Sequence, residues 1–177
     1  KILFEKYVAL SDDKKNIKIL HKKANSNLIR QIQNLKLISA GNTIEYPVEA
    51  LKFLKIISKK INKFGGGLLT FDYGHAVKKN QNTLQSIKKH KHFDLFFQPG
   101  HSDISSHLNF KLFQEILVKY NLDVKKITNQ SDFLKKIGIL ERANILSRKM
   151  TFKEKTNMFY RLKKLIDHRD MGTHFKV

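Results

Sequence analysis

Residues 65–75 read GGGLLTFDYGH and carry the main evidence for the fold class. Within it, Leu68 to Phe71 form a short, continuous apolar run bounded by glycines. The run follows a segment whose apolar residues recur at helical spacing. A run of this length after a helix is typical of a buried parallel strand, and a helix followed by a strand is half of a β-α-β unit. The stretch therefore predicts an α/β fold.

Polar residues directly follow this predicted strand. In open α/β sheets, ligands bind outside the carboxyl ends of the strands, where Asp72, Tyr73 and His75 would lie. Gly74 would permit a tight turn or a close approach of another backbone segment. In the alternative interpretation, Asp72 caps a turn beside a packing tyrosine, and the spacing fits both equally. Gly65 to Gly67 precede the strand, whereas a phosphate loop follows one, so this triplet is better explained as a helix stop.

Periodicity predicts the remaining elements outward from this stretch. Helices are predicted over Asn25–Leu35, from Pro47 to Gly65, over Phe110–Tyr120, from Ser131 to Gly138, over Leu140–Lys149, and from a capping box at Thr151 and Glu154 to Ile166. Strands are predicted within NIKILHKK (16–23), Leu37–Glu45, Leu122–Ile127 and Met171–Val177. Because no repeat or linker divides the chain, residues 1–177 are predicted to form a single domain.

Residues 76–107 are polar, rich in Lys and His, and weakly patterned, which predicts a long functional or mobile loop. His90, His92, His101 and His107 could ligate a metal together with Asp103, but their spacing matches no established zinc pattern. The chain also has no cysteine. We therefore expect no metal, and loop histidines near a binding surface are the simpler explanation.

The net charge of +20 would attract nucleic acid, an anionic membrane or an acidic protein. However, the lysines are scattered along the chain among many Asn and Ile residues, which a compositional bias explains equally well. We expect no specific nucleic-acid partner, because no binding motif accompanies the charge. The apolar runs are too short to cross a bilayer, and the opening KILFEKYVAL is not a signal peptide. It also lacks an initiator Met, so this start need not be the natural one.

Several segments, taken in order, resemble the family of the mitochondrial complex I assembly arginine methyltransferase and its bacterial homologues. The segments are GGGLLTFDYGH (65–75), NTLQSIKKHKHFD (82–94), PGHSDISSHLNF (99–110), NQSDFLKKIGILER (129–142) and MGTHFKV (171–177), with looser matches at FEKYV (4–8) and IEYPVEAL (44–51). The resemblance implies the C-terminal part of a Rossmann-like class I methyltransferase sheet. Its fifth strand would be Leu68–Phe71, its sixth would lie near Val124, and its antiparallel seventh near Thr173. Residues 76–107 would be an elaborated substrate-side insertion.

The resemblance also implies methyl transfer from S-adenosyl-L-methionine to a protein arginine, with a partner such as a respiratory complex I subunit. The implied location is the cytoplasm for a bacterial protein and the mitochondrion for a eukaryotic one. No general base is assigned. The candidate cofactor contacts are Asp72, Tyr73 and Gly74, and the candidate substrate contacts are His75, Pro99, Gly100, Asp103, His107 and Gln130.

The chain departs from the family pattern in ways that limit these expectations. The family's glycine-rich cofactor loop, its acidic ribose ligand and a further acidic segment are absent, so we expect the isolated chain not to bind the cofactor measurably. The family commonly has an acidic residue, Thr and an acidic residue where this chain has His101, Ser105 and Asn109. The rival hypothesis is a non-catalytic basic binding module or assembly chaperone with a protein or RNA partner. An intact upstream glycine-rich loop would favour the enzyme, and a degraded one the chaperone.

Overall fold

The computed structural model describes residues 2–38, 43–77, 80–89 and 91–177, which divide into two compact units. Unit 1 contains Lys1–Tyr46 and Lys79–Ser106, and unit 2 contains Pro47–Lys78 and His107–Val177. The strands are β1 (Phe4–Leu10), β2 (Ile17–Lys23), β3 (Asp72–His75), β4 (Gln85–Lys88), β5 (Lys91–Phe93), β6 (Asp103–Ser105), β7 (Leu108–Asn109) and β8 (Phe175–Lys176). The helices are α1 (Ser26–Asn34), α2 (Val48–Phe64), α3 (Phe110–Lys119), α4 (Gln130–Lys136), α5 (Ile139–Ser147), α6 (Phe152–Ile166) and α7 (Met171–His174). The single domain predicted for 1–177 stays a prediction.

In unit 1, β1 and β2 form an antiparallel hairpin in which Phe4 pairs with Lys23 and Leu10 with Ile17. This confirms the strand predicted within 16–23. The following helix α1 begins where the Asn25 side chain accepts a hydrogen bond from the Leu28 backbone N–H at 2.8 Å. That bond satisfies one of the free donors of the first helical turn.

The long loop predicted for 76–107 is wrong, because the region contains a three-stranded antiparallel sheet in the order β5-β4-β6. On β4, Ser86 pairs with Phe93 on one side and Ile104 on the other. These strands are three or four residues long and mostly polar. Strands this short show too little alternation for periodicity to detect, and cross-strand pairing stabilises them instead.

Unit 2 is built around a sheet in the order β7-β3-β8. The central strand β3 runs parallel to β7, with Gly74 opposite Leu108, and antiparallel to β8, with Tyr73 opposite Phe175. Helices α3 and α7 contact β3, and α3 also packs on α2. The α/β class predicted from the sequence is therefore confirmed.

The predicted position of the central strand is wrong. The strand consists of Asp72–His75, the residues expected to follow it, and Leu68 to Phe71 form an irregular approach to it. Leu68, Leu69 and Phe71 are 42%, 63% and 40% exposed. The reason is that β7 and β8 supply ladder partners only for residues 72–75, so an apolar run without paired neighbours does not become a strand.

The C-terminal strand is antiparallel as predicted, but it is shorter than predicted. Met171–His174 form the helical turn α7, and only Phe175–Lys176 form β8. Leu122–Ile127, predicted as a strand, are irregular. The pairing falls just beyond them, where the backbones of Thr128 and Val177 exchange hydrogen bonds of 3.0 and 2.9 Å. The neighbouring pair, Asn129 and Lys176, forms an antiparallel bridge.

The predicted helices are confirmed, with small shifts at their ends. Pro47 is the residue before α2 and not its first residue, and Gly65 ends the helix with a φ of 77°. The strand predicted for Leu37–Glu45 is not found at 37–38 or 43–45, and residues 39–42 lie outside the described residues. In the part of the chain that the structure describes, none of the helices combines the length and apolar content needed to cross a bilayer.

The capping box predicted at α6 is present. The Thr151 hydroxyl accepts from the Glu154 backbone N–H, while the Glu154 carboxylate accepts from the Thr151 backbone N–H and hydroxyl, both at 2.8 Å. These bonds, led by the one from the backbone N–H, hold the pKa of Glu154 below its usual value. Because the pKa is lower in the folded state, the box stabilises the fold above the ordinary carboxyl pKa. Its contribution is lost as the pH falls through the lowered value.

We predict that Thr151→Ala lowers the free energy of unfolding by about 1 kcal/mol, because it removes the N-cap acceptor of α6. Urea denaturation followed by circular dichroism at pH 7 measures this change. Thr156→Ala is the matched control on the same helix. The Thr156 hydroxyl donates to the Phe152 carbonyl within the helix, so replacing it with alanine should cost nothing. Equal losses for the two variants would contradict the capping role.

Candidate functional site

Asp72 and Tyr73 open the central strand of unit 2 with exposed side chains. An Asp72 carboxylate oxygen accepts a hydrogen bond from the Tyr73 backbone N–H at 2.7 Å. The Tyr73 ring lies 3.9 Å from the Phe175 ring between centroids, and 47% of Tyr73 stays exposed. The strand therefore presents one carboxylate and one phenol to the surroundings. These contacts also agree in part with the alternative interpretation of a capping Asp beside a packing Tyr. Asp72 accepts from the local backbone, and the Tyr73 ring packs on the Phe175 ring.

Gly74 is required for the packing of β3. A Cβ atom at this position would lie 2.2 Å from the Leu108 carbonyl oxygen and 2.8 Å from the Phe110 ring. The backbone of β7 and the first side chain of α3 thus occupy the space that any other residue would need. Of the two roles that the sequence allowed for Gly74, the structure shows the close backbone approach, and protein atoms fill the space beside this residue.

His75 ends β3, and His107 lies directly before the adjacent strand β7. His75 pairs with Asn109 on β7, and His107 directly precedes that strand. The Nδ1 atom of His75 lies 2.8 Å from the Val77 carbonyl oxygen. A carbonyl oxygen only accepts, so Nδ1 carries the proton, and in the neutral ring Nε2 is left as an acceptor. The pairing of β3 with β7 therefore brings two candidate substrate contacts near Asp72 and Tyr73, and these four residues are named the β3 edge.

Gln130, predicted as a substrate contact, is buried at the start of α4. Its side-chain amide donates to the Leu165 carbonyl at 2.9 Å and so ties α4 to the end of α6. Buried amides need such partners, because an unmade bond costs about 1–3 kcal/mol. The arrangement favours a role of Gln130 in the packing of α4 against α6.

Pro99, Gly100 and Asp103 belong to unit 1, whereas the β3 residues belong to unit 2. Pro99 and Gly100 lie in an exposed turn closed by a 3.1 Å hydrogen bond from the His101 N–H to the Gln98 carbonyl. Gly100 has a φ of 87°, which favours glycine. Asp103 is exposed at the start of β6. Within the described ranges, His, Asp and Glu side chains form no cluster of three suited to a metal ion.

Sequence reasoning missed three polar side chains that hold the units together internally. In unit 1, the Glu45 carboxylate accepts from the Thr83 N–H and hydroxyl and from the Leu84 N–H, at 2.7 to 3.0 Å. The Ser86 hydroxyl, on a residue only 1% exposed, donates to the Ser102 hydroxyl at 2.8 Å. These contacts join residues far apart in the chain, so no local pattern announces them.

Lys176 is the third missed residue and lies on β8. Its ammonium donates to the Asn129 side-chain oxygen at 2.9 Å and to the Thr173 carbonyl. Partial burial lowers the pKa of this ammonium. The contacts fix the C-terminal strand against the segment beside it. The sequence feature that could have identified Lys176 is its position in MGTHFKV, one of the segments that resemble the family.

Asn109, where the family commonly has an acidic residue, caps α3. Its side-chain oxygen accepts from the Leu112 N–H at 3.0 Å. Asn and Asp serve almost equally as N-caps, so the exchange preserves the local structure.

Comparison with known protein families identifies the family of the chain that carries these site residues. Residues 1–128 match the family model described as "Putative S-adenosyl-L-methionine-dependent methyltransferase". The chain belongs to this family. The match covers well over half of the chain and includes β3, β7 and the whole of unit 1.

Curated relatives are protein arginine methyltransferases from animals. The chain is 28% identical to mitochondrial NDUFAF7 of Xenopus tropicalis over 106 residues, which cover 60% of this chain and 24% of the relative. It is 31% identical to the mitochondrial homolog of Caenorhabditis elegans over 104 residues, covering 59% and 24%. The chain thus spans about a quarter of the length of these relatives.

Two crystal structures of superfamily members from Burkholderia thailandensis share the fold. The first, of an uncharacterized protein, gives a TM-score of 0.73 at 23% identity and covers 98% of this chain and 47% of that one. The second, bound to S-adenosyl-homocysteine, gives 0.73 at 21% identity and covers 98% and 46%. The chain therefore spans just under half of either structure.

S-Adenosyl-L-methionine is the cofactor that the family implies, and the described residues at β3 do not fit it by themselves. A ligand of this size draws its affinity from polar groups placed in a largely enclosed cavity. Here the carboxylate of Asp72 and the phenol of Tyr73 are exposed, and protein atoms fill the space beside Gly74. An open groove of about 440 Å³ lies between α5 and α6, and none of the residues that line it belongs to β3. The β3 edge thus supplies at most one wall of a cofactor site.

We predict that Gly74→Ala destabilises the chain by about 3 kcal/mol, because the added methyl overlaps the Leu108 carbonyl and the Phe110 ring. Gly67→Ala is the matched control. Among the described residues no atom lies within 4 Å of a Cβ placed there, and its φ is not positive. Urea denaturation of both variants measures the difference. Equal stability of the two variants would contradict the close approach at Gly74.

Proposed function

We propose that this protein takes part in methyl transfer from S-adenosyl-L-methionine to a protein arginine. The observation that carries the proposal is the family match over residues 1–128. The names of the animal relatives support arginine as the acceptor, since they are protein arginine methyltransferases. The acceptor is then a protein partner, for which we propose a respiratory complex I subunit. The site of action is the mitochondrion in a eukaryote or the cytoplasm in a bacterium.

In this proposal the β3 edge forms the wall between cofactor and acceptor. Methyl transfer requires the acceptor nitrogen in line with the sulfonium methyl group and removal of one proton. Asp72 and Tyr73 lie on the cofactor side as a hydrogen-bond acceptor and a phenol. Gly74 contributes by letting β7 approach, which places His107 beside the strand that carries His75. Those two histidines lie on the acceptor side.

The remaining candidates divide by unit. Pro99, Gly100 and Asp103 of unit 1 are proposed as acceptor contacts, together with a proposed substrate-side role for residues 76–107. Gln130 is assigned to the packing of α4 against α6, because its amide is committed to the Leu165 carbonyl.

We predict that Asp72→Asn raises the KM for S-adenosyl-L-methionine about tenfold or more in the full-length gene product. The substitution keeps an oxygen for the Tyr73 N–H but removes the negative charge of the proposed cofactor contact. A hydrogen bond from the cofactor to a charged group contributes about 1.5–3 kcal/mol, so its loss weakens cofactor binding. The measurement uses cofactor labelled in the methyl group and an extract of acceptor proteins. Acid hydrolysis and amino-acid analysis then identify the labelled residue, expected to be methylarginine.

The control is Asp123→Asn, which removes an exposed carboxylate paired with Lys125 and should leave the KM unchanged. Label recovered in another amino acid or in nucleic acid would contradict arginine as the acceptor. Absence of transfer, together with absence of cofactor binding by calorimetry, would favour the non-catalytic binding module or chaperone. The 177-residue chain itself should give no measurable heat of binding, whereas micromolar binding would show that β3 and its neighbours form a complete site.

A further inference from the structure

Helices α5 and α6 border an open groove of about 440 Å³ within unit 2. Ala143 and Leu162, which are 6% and 8% exposed, form its floor. Leu146, Met158 and Leu165 extend the apolar lining along both helices. The volume is in the range of ligand-binding cavities. The family match ends at residue 128, before the groove begins, so family membership does not assign it a role.

The rim of the groove carries more positive than negative charge, with two arginines against one carboxylate. Arg142 of α5 and Arg161 of α6 line the groove and are exposed. Across the described residues, neither guanidinium has an ion pair or a hydrogen-bond partner. The one carboxylate on the rim belongs to Glu154, and it is already occupied by the backbone N–H and hydroxyl of Thr151. The free arginines therefore favour an anionic occupant.

The segment that contains α5 and α6 is rich in basic residues and also exposes apolar side chains outside the groove lining. Between residues 135 and 164 the acidic side chains are Glu141 and Glu154, against many Lys and Arg. Phe152 at the start of α6 is 87% exposed and Ile145 of α5 is 54% exposed. Phosphate groups alone would leave the apolar lining without a partner. An occupant that complements the surface combines carboxylates with large apolar side chains.

We propose that the groove between α5 and α6 docks an acidic amphipathic helical segment of a partner protein. A groove lined by Leu and Met from two helices suits a helix that inserts apolar side chains at i, i+3 or i+4, and i+7. Asp or Glu residues beside that stripe would pair with Arg142 and Arg161. The inference concerns a surface separate from the β3 edge and does not rest on the proposed methyl transfer.

The test selects peptides without assuming a partner. A phage-displayed library of random 16-residue peptides is panned against the full-length gene product, and the tightest peptides are measured by fluorescence anisotropy near physiological salt. We expect the selected peptides to carry Asp or Glu beside a helically spaced Leu, Phe or Met stripe. Arg142→Glu with Arg161→Glu should weaken their binding about tenfold or more. Replacing the stripe with serine should abolish it.

The matched control is Arg148→Glu with Lys163→Glu, which makes the same change in net charge at the residue that follows α5 and on α6, outside the groove lining. This variant should weaken binding less than about threefold. Equal weakening by both double variants, or peptides without an apolar stripe, would reduce the effect to net charge and overturn the proposal. So would a failure to select acidic peptides.

A dimer that Arg142→Glu with Arg161→Glu dissociates in sedimentation would assign the groove to a second copy. If that variant does not fold by circular dichroism, Arg142→Gln with Arg161→Gln replaces it.

Discussion

The close approach of β7 to β3 at Gly74 is the constraint on which the rest of unit 2 depends. It sets the parallel register, places the Phe110 ring against the glycine, and starts α3 at the Asn109 cap. From that start, α3 buries Leu112 and Ile116 and packs on α2. A side chain at position 74 would separate these elements, because interiors packed to this density leave no room for an added methyl group.

The helices could be predicted from the sequence because their signals are local. Apolar spacing, the Gly65 stop and the box at Thr151 and Glu154 each lie within a few residues of the structure that they specify. The strands could not be located as well. The run Leu68–Phe71 has strand composition but no ladder partner, whereas Asp72–His75 has partners on both sides. Pairing with residues over thirty and one hundred positions away, and not composition, decided where the strand forms.

The sequence indicated part of the candidate site, because some of its residues lie in one local segment and others come together only through long-range pairing. Asp72 to His75 form β3, and His107 directly precedes β7, so the parallel pairing of these two strands brings the residues near one another. Gln130 was predicted as a substrate contact because it is a polar residue in a segment that resembles the family. Its side chain instead donates to the Leu165 carbonyl near the end of α6, a contact that the sequence does not reveal. The anchors Glu45 and Lys176 act through contacts that only the folded chain creates. Their role is to hold the segments on which the site residues lie.

The register of β3 against β8 is the most direct test of this account, and disulfide trapping measures it, since the chain has no cysteine of its own. Tyr73 and Phe175 are cross-strand partners with adjacent rings, and such pairs have Cα separations that suit a disulfide. We expect the variant with Tyr73→Cys and Phe175→Cys to crosslink rapidly within one molecule under mild oxidation. Thr70→Cys with Phe175→Cys should remain reduced. Preferential crosslinking of the Thr70 pair would place the strand at Leu68–Phe71 and contradict the sheet described for this methyltransferase family member.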